Sequence, residues 1–200
     1  MATKRVLKTE ECKGQEIILS DYTHLRAYHA CRPENIQTYI HEGLLPFSRE
    51  TALDDAIRKL VGGRVTATNI RTQFEAIWQE SDTSQHSRVW LALEKSELLE
   101  WSCHYLIYGS ELLNALAMNL GCRDRLKRIG RPTVVVCDVP IEDISSTWLN
   151  GLEEALWEGE TSMRSIAVFK VEPQNVVNFL YPTGWVNDPY TRMRYKLAAN

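Results

Sequence analysis

Pro132-Thr-Val-Val-Val-Cys-Asp-Val139 is a β-branched and almost unbroken apolar run. That pattern belongs to a strand covered on both faces, and so to the middle of a sheet. Working outward, Leu25-Arg-Ala-Tyr-His-Ala30 and Arg88-Val-Trp-Leu-Ala-Leu93 read as earlier strands, and Ile166-Ala-Val-Phe-Lys-Val171, ended by Pro173, as a later one. Helical patterns lie between them. Pro33 opens one, with Glu34 in its first turn, Ile36, Tyr39 and Ile40 at helical spacing, and Gly43 at its end. Residues 50–61 and 66–80 read as two amphipathic helices parted by Gly62-Gly63. Ser110 is an N-cap for a helix through Leu120, because Leu112, Leu113, Leu116 and Leu120 share one face and Gly121 follows. Residues 142–156 are helical or looped, and the polar stretch Glu80 to Ser87 is a loop. The stretch from Pro182 to Asn200, rich in Tyr, Arg and turn residues, carries no assignable pattern. Strands scattered among helices, without a βαβ rhythm, a GxGxxG or a GxxxxGK[ST], indicate an α+β fold over a doubly wound one.

A chain of 200 residues, 44% hydrophobic and 24% charged, is expected to fold as one domain over 1–200, with an unassigned tail from about 182. The net charge of −3 argues against a protein whose main task is coating nucleic acid, although a local basic groove remains compatible. Cysteines 12, 31, 103, 122 and 137 are odd in number and widely spaced, with no CxxC or CxxH pair. Neither a zinc site nor a disulfide framework is expected, and Cys137 reads as a small buried hydrophobe. The N-terminus MATKRVLKTEECK lacks the apolar stretch of a secretory leader. No run reaches the roughly 18 apolar residues of a membrane span. A cytoplasmic protein without membrane contact is therefore expected.

Three constellations carry residues fit for chemistry. In Tyr28-His29-Ala30-Cys31-Arg32-Pro33 a histidine ends a strand just before a helix. Rigid backbone there would let a neutral imidazole offer a donor to a ribose hydroxyl while the protein fixes its other nitrogen. In Trp101-Ser-Cys-His-Tyr-Leu-Ile-Tyr-Gly-Ser-Glu111, Tyr105 and Tyr108 precede a helix start and could stack on a flat heterocycle, with Gly109 permitting close backbone approach. Glu111 is explained by the helix dipole alone. Trp157-Glu-Gly-Glu-Thr-Ser-Met163 places two carboxylates before a strand, where one could stabilise an oxocarbenium-like centre.

Taken in order, these pieces resemble the ADP-ribosyltransferase superfamily, in particular its His-Tyr-Glu branch of poly-ADP-ribose polymerases and diphtheria-like toxins. The resemblance spans about residues 24 to 180 as an order of elements. Ala30 and Cys31 follow the histidine, where the family carries Gly and then Ser or Thr. It implies a split antiparallel sheet with flanking helices and NAD as substrate. His29 would bind the nicotinamide-side ribose. Tyr108 or Tyr105 would stack on the nicotinamide, with Ser110 beside them. Glu160, or Glu158 in its place, would be the catalytic acid. Transfer of ADP-ribose to a protein or nucleic-acid acceptor would release nicotinamide, with closure of the 80–87 loop excluding water. Small transferases of this kind are often toxins or phage-defence effectors, which implies an antitoxin or inhibitor protein as a possible partner.

Other readings compete. One is a catalytically inactive relative that binds a nucleotide or a partner. Another makes Cys31 a nucleophile paired with His29 or His104. In a third, Tyr190-Thr-Arg-Met-Arg-Tyr195 touches nucleic acid through arginine stacking and phosphate contacts.

Overall fold

The structure, a computed structural model, describes residues 3–80, 86–161 and 164–198. Most of the loop expected at 80–87 lies outside the described residues. In chain order the elements are β1 (Val6–Leu7), β2 (His24–Cys31), α1 (Gln37–Glu42), α2 (Arg49–Leu60), α3 (Ala67–Glu80) and β3 (Val89–Ala92). There follow α4 (Lys95–Glu100), α5 (His104–Tyr108), α6 (Glu111–Asn119), a 3-10 turn at Arg123–Arg128, β4 (Thr133–Pro140), α7 (Ser146–Leu149) and α8 (Leu152–Glu158). The chain ends with β5 (Ser165–Val168), β6 (Val176–Leu180), β7 (Gly184–Asn187) and β8 (Arg194–Leu197). This is an α+β protein, with an antiparallel sheet flanked by helices.

The main sheet runs β5-β3-β2-β4-β6, and all of these neighbours are antiparallel. The short β1 adds a parallel pairing to the start of β2, Val6 to His24 and Leu7 to Leu25. Eight consecutive pairs, from His24↔Pro140 to Cys31↔Thr133, join β2 to β4. The register of β2 with β3 is a single pair, Tyr28↔Ala92. The two halves of the sheet therefore meet over a very short ladder.

The apolar run at 132–139 is central for the reason its composition suggests. Val134 and Val136 project into one core, Val135, Cys137 and Val139 into another, and all five are buried. Alternation along β2 divides its residues in the same way, with Tyr28 and Ala30 in the first core and Leu25, Ala27 and Cys31 in the second. The first core is closed by Leu53, Ala56 and Leu60 of α2, Ile70 and Phe74 of α3, Leu106, Ile107 and Tyr108 of α5, and Leu113 and Leu116 of α6. Leu152 and Leu156 of α8, with Ile166 and Val168 of β5, close the second. Burying one such Leu or Phe side chain contributes about 1.5–3 kcal/mol.

Local signals set the helix ends. Ser48 and Thr51 form a reciprocal capping box at the start of α2. The Ser110 hydroxyl accepts from the Leu113 amide at 3.1 Å, as its N-cap pattern indicates. The first helix is shorter than its sequence pattern. Pro33 lies outside it, and only Gln37–Glu42 is α-helical. Gly43 ends it at φ 76°, where a Cβ would lie 1.9 Å from the Val171 carbonyl oxygen. That close approach lets Leu44 and Val171 exchange two backbone hydrogen bonds of 2.9 Å.

The C-terminal stretch folds as the β7–β8 hairpin, with Gly184↔Leu197 to Asn187↔Arg194 in register. Val186 and Leu197 join the first core. Long-range packing supplies the order here, because this stretch has no strong periodicity of its own.

Candidate functional site

His29 lies between Ala27 and Cys31 on β2 and opposite Val135 on β4, so its side chain belongs to the face of the second core. Just past the single β2–β3 pair, the imidazole Nδ1 sits 3.0 Å from the Trp90 carbonyl oxygen. Burial lowers the His29 pKa, and the bond to Trp90 opposes that only in part. The ring is therefore neutral at pH 7. A carbonyl can only accept, so Nδ1 carries the proton and Nε2 presents a lone pair. This corrects the expected polarity, because the available nitrogen accepts a hydrogen bond and does not donate one. No hydrogen bond to Nε2 is found among the described residues. Trp90 is 38% exposed and meets Trp148 edge-on, with centroids 5.2 Å apart.

The acidic segment follows α8, whose Leu152 and Leu156 pack into the core on His29's side of the sheet. Glu158 is the last residue of this helix, and Gly159 closes it in the left-handed conformation. The Glu160 amide donates to the Ala155 carbonyl at 2.8 Å. One residue on, the buried Thr161 hydroxyl donates to Glu94, which directly follows the β3–Leu93 segment and also pairs with Lys13 at 2.7 Å. The backbone of Glu160 is thus tethered between a helix end and the end of β3, while the side chains of Glu158 and Glu160 are exposed. Ser162 and Met163 lie outside the described residues.

Tyr108, Tyr105 and Ser110 lie across the sheet from His29. Tyr108 is 1% exposed in the first core. Its ring is covered by the Arg123 guanidinium, 4.5 Å from the centroid, and its hydroxyl donates to Asp188. Tyr105 packs against the same core beside His104, at 4.1 Å between centroids. Burial, with Glu111 adding to it, drives the Tyr105 pKa upward. The structure therefore brings Tyr105, Tyr108 and Ser110 together, places His29 and the acidic segment on the opposite side, and does not join the two sets. Cys31 is buried in the second core, and burial pushes its thiol up to about 12, so it is protonated at neutral pH and unsuited to nucleophilic attack.

A further feature is absent from the sequence reading. A cavity of about 570 Å³ opens beside the 3-10 turn, lined by Arg64, Arg123, Arg125, Lys127 and Arg128 against a single carboxylate, Asp124. Its signal was the run Arg123-Asp-Arg-Leu-Lys-Arg128, short enough to pass for an ordinary solvated turn. Among the described residues no group of three or more His, Cys, Asp or Glu side chains could hold a metal ion. No helix is long and apolar enough to cross a membrane.

No family model, curated protein or solved structure matches the chain.

Proposed function

We propose that the protein is an NAD-dependent ADP-ribosyltransferase whose reaction centre lies at His29, where β2 and β3 part. The observation that carries this reading is the fixed imidazole, with Nδ1 held by the Trp90 carbonyl and Nε2 presented at the opening of an antiparallel sheet. The one-pair ladder between β2 and β3 is consistent with a split sheet and supports this reading.

In this reading His29 Nε2 accepts a hydrogen bond from a hydroxyl of the nicotinamide-side ribose. Trp90, whose carbonyl holds the imidazole and whose indole is 38% exposed, is assigned in this reading the stacking role that the sequence gave to Tyr108 or Tyr105. The change follows from burial, since Tyr108 is enclosed on the other face. The carboxylate of Glu160, with Glu158 as its alternative, faces the positive charge that develops on the ribose as the nicotinamide–ribose bond breaks. The acceptor, a protein or nucleic-acid nucleophile, then bonds to the anomeric carbon and gives up its proton.

Nicotinamide release from NAD by the purified protein tests the proposal, with and without cell lysate as acceptor source. Release that is lost in His29→Ala and in Glu160→Gln, with folding retained, supports it, and Glu158→Gln tells the two carboxylates apart. Absence of release from the folded wild type under every condition overturns it and favours the inactive nucleotide- or partner-binding reading.

A further inference from the structure

The cavity beside Arg123–Arg128 is separated from His29 by the sheet, because its Tyr108 wall belongs to the first core and His29 faces the second. Its volume, about 570 Å³, falls within the roughly 300–1,000 Å³ of small-molecule sites. Two kinds of surface line it. Arg64, Arg123 and Arg128 supply charge, while Val65, Met118 and Leu120 supply an apolar wall.

The charge is concentrated and only partly compensated. The chain as a whole carries −3, yet five cations line the cavity against one lining carboxylate, with Asp188 behind Arg123. That carboxylate, Asp124, is taken by Lys127 at 2.8 Å. Arg64 and Arg128 are exposed and form no ion pair among the described residues. Arg123 is held between the rings of Tyr108 and Tyr190, at 4.5 and 5.3 Å, and forms an ion pair with Asp188 at 3.7 Å, longer than a hydrogen bond. Its Nε and Nη2 atoms are buried without a hydrogen-bond acceptor. Buried donors without an acceptor are costly, and Arg123, which lines the cavity, keeps donor capacity that its ion pair with Asp188 does not use.

The site is also built in advance. Arg125, itself part of the lining, donates to the carbonyls of Leu60 and Gly62, tying the end of α2 to the 3-10 turn. Gly62 and Gly63 turn the chain with φ of 144° and 54°, and a Cβ on Gly63 would meet Arg125 Nη2 at 3.0 Å. This turn sets Arg64 at the rim.

We infer that this cavity is a binding site for a nucleoside polyphosphate, with the phosphates on Arg64, Arg123 and Arg128 and the base against Val65, Met118 and Leu120. Arginine suits phosphate because its planar fork donates two parallel hydrogen bonds. The site is independent of the transfer chemistry proposed at His29.

Calorimetric titration of the full chain with ATP, GTP, adenosine and inorganic tripolyphosphate tests the inference. The nucleoside triphosphates bind with Kd below about 1 mM, adenosine does not, and tripolyphosphate binds more weakly than either. The double variant Arg64→Glu/Arg128→Glu, changed only at exposed side chains, weakens triphosphate binding at least roughly tenfold while its melting temperature stays close to wild type. Met118→Gln weakens ATP but leaves tripolyphosphate unchanged. ATP binding also survives His29→Ala, which keeps this result separate from failure of the transferase proposal. The inference is overturned by no binding at millimolar ATP, by undiminished binding in the double variant, by tripolyphosphate binding as tightly as ATP, or by loss of ATP binding in His29→Ala.

Discussion

The hydroxyl of Tyr108 donates a hydrogen bond to the carboxylate of Asp188, which lies 80 residues further along the chain. Asp188 also accepts from the Thr191 hydroxyl at 2.8 Å and from the Tyr190 amide at 3.0 Å. One buried carboxylate thus closes the β7–β8 turn upon itself and pins that turn to the first core.

Removing either partner leaves the other buried and less satisfied. Tyr108→Phe and Asp188→Asn are each expected to lower the unfolding free energy by about 1–3 kcal/mol. The double variant is expected to lose less than the sum, since the two groups share one interaction. Urea denaturation of the four proteins measures both quantities, and strict additivity would show that the pair contributes no coupling.

The acid limb of stability is expected to depend on Asp188 and Asp138. Burial favours the protonated form of each, but other contacts outweigh it. Tyr108, Thr191, the Tyr190 amide and the Arg123 charge hold Asp188 below the ordinary aspartate range, and Arg26 and Lys4 do so for Asp138. Folded-state values below the unfolded 3.8 mean that this stability is fully present above 3.8 and is lost as pH falls through the lower folded values. Asp138→Asn should be less stable than wild type near neutral pH and show a flatter decline in acid. Denaturant midpoints followed from neutral to strongly acidic pH check this.

For His29 the sign is the reverse of a salt-bridged histidine. Its folded pKa is lowered beneath 6.5, chiefly by burial, so the unfolded chain takes up a proton more readily than the folded one. Stability should therefore fall as pH drops through 6.5, and His29→Gln should weaken that dependence. An imidazole titration by NMR should give a midpoint under 6.5, with the proton on Nδ1 in the neutral form. A midpoint at or above 6.5 would contradict the half-buried, neutral ring.

Two substitutions probe how the sheet faces are held. Phe74→Ala removes a ring with no solvent exposure from the first core and should cost about 3–5 kcal/mol. Gly43→Ala would drive a Cβ to 1.9 Å from the Val171 carbonyl oxygen at a φ of 76°. It should destabilise the protein and release the Leu44–Val171 bridge, seen as faster amide exchange at those two residues.

Local features were legible in the sequence because they depend on neighbours. The β-branched run at 132–139, the alternation around His29, the helices at 50–61 and 66–80 and the Ser110 cap are each encoded within a few residues. All of them emerge in the structure with shifts of a residue or two. From them followed the α+β class. The candidate site was legible only in part. His29 was marked as a strand residue, and the Glu158–Glu160 segment as a loop before a strand, but their common side of the sheet was not.

Alternation states that Tyr28 and His29 point opposite ways, yet it does not state which of them shares a side with Tyr108. Helix placement over the sheet decides that, and it sends Tyr108 to Tyr28's side. The same holds for the cationic cavity, whose walls come from Arg64 and Val65 after the Gly62-Gly63 turn, from α6 and from the 3-10 turn, segments distant in the chain that only packing makes adjacent. The β7–β8 hairpin, too, is ordered by Asp188, Val186 and Leu197 finding partners far back in the chain. A strand or a cap is set by contacts over a few residues, whereas a site depends on which apolar faces bury one another, and that is a property of the whole chain.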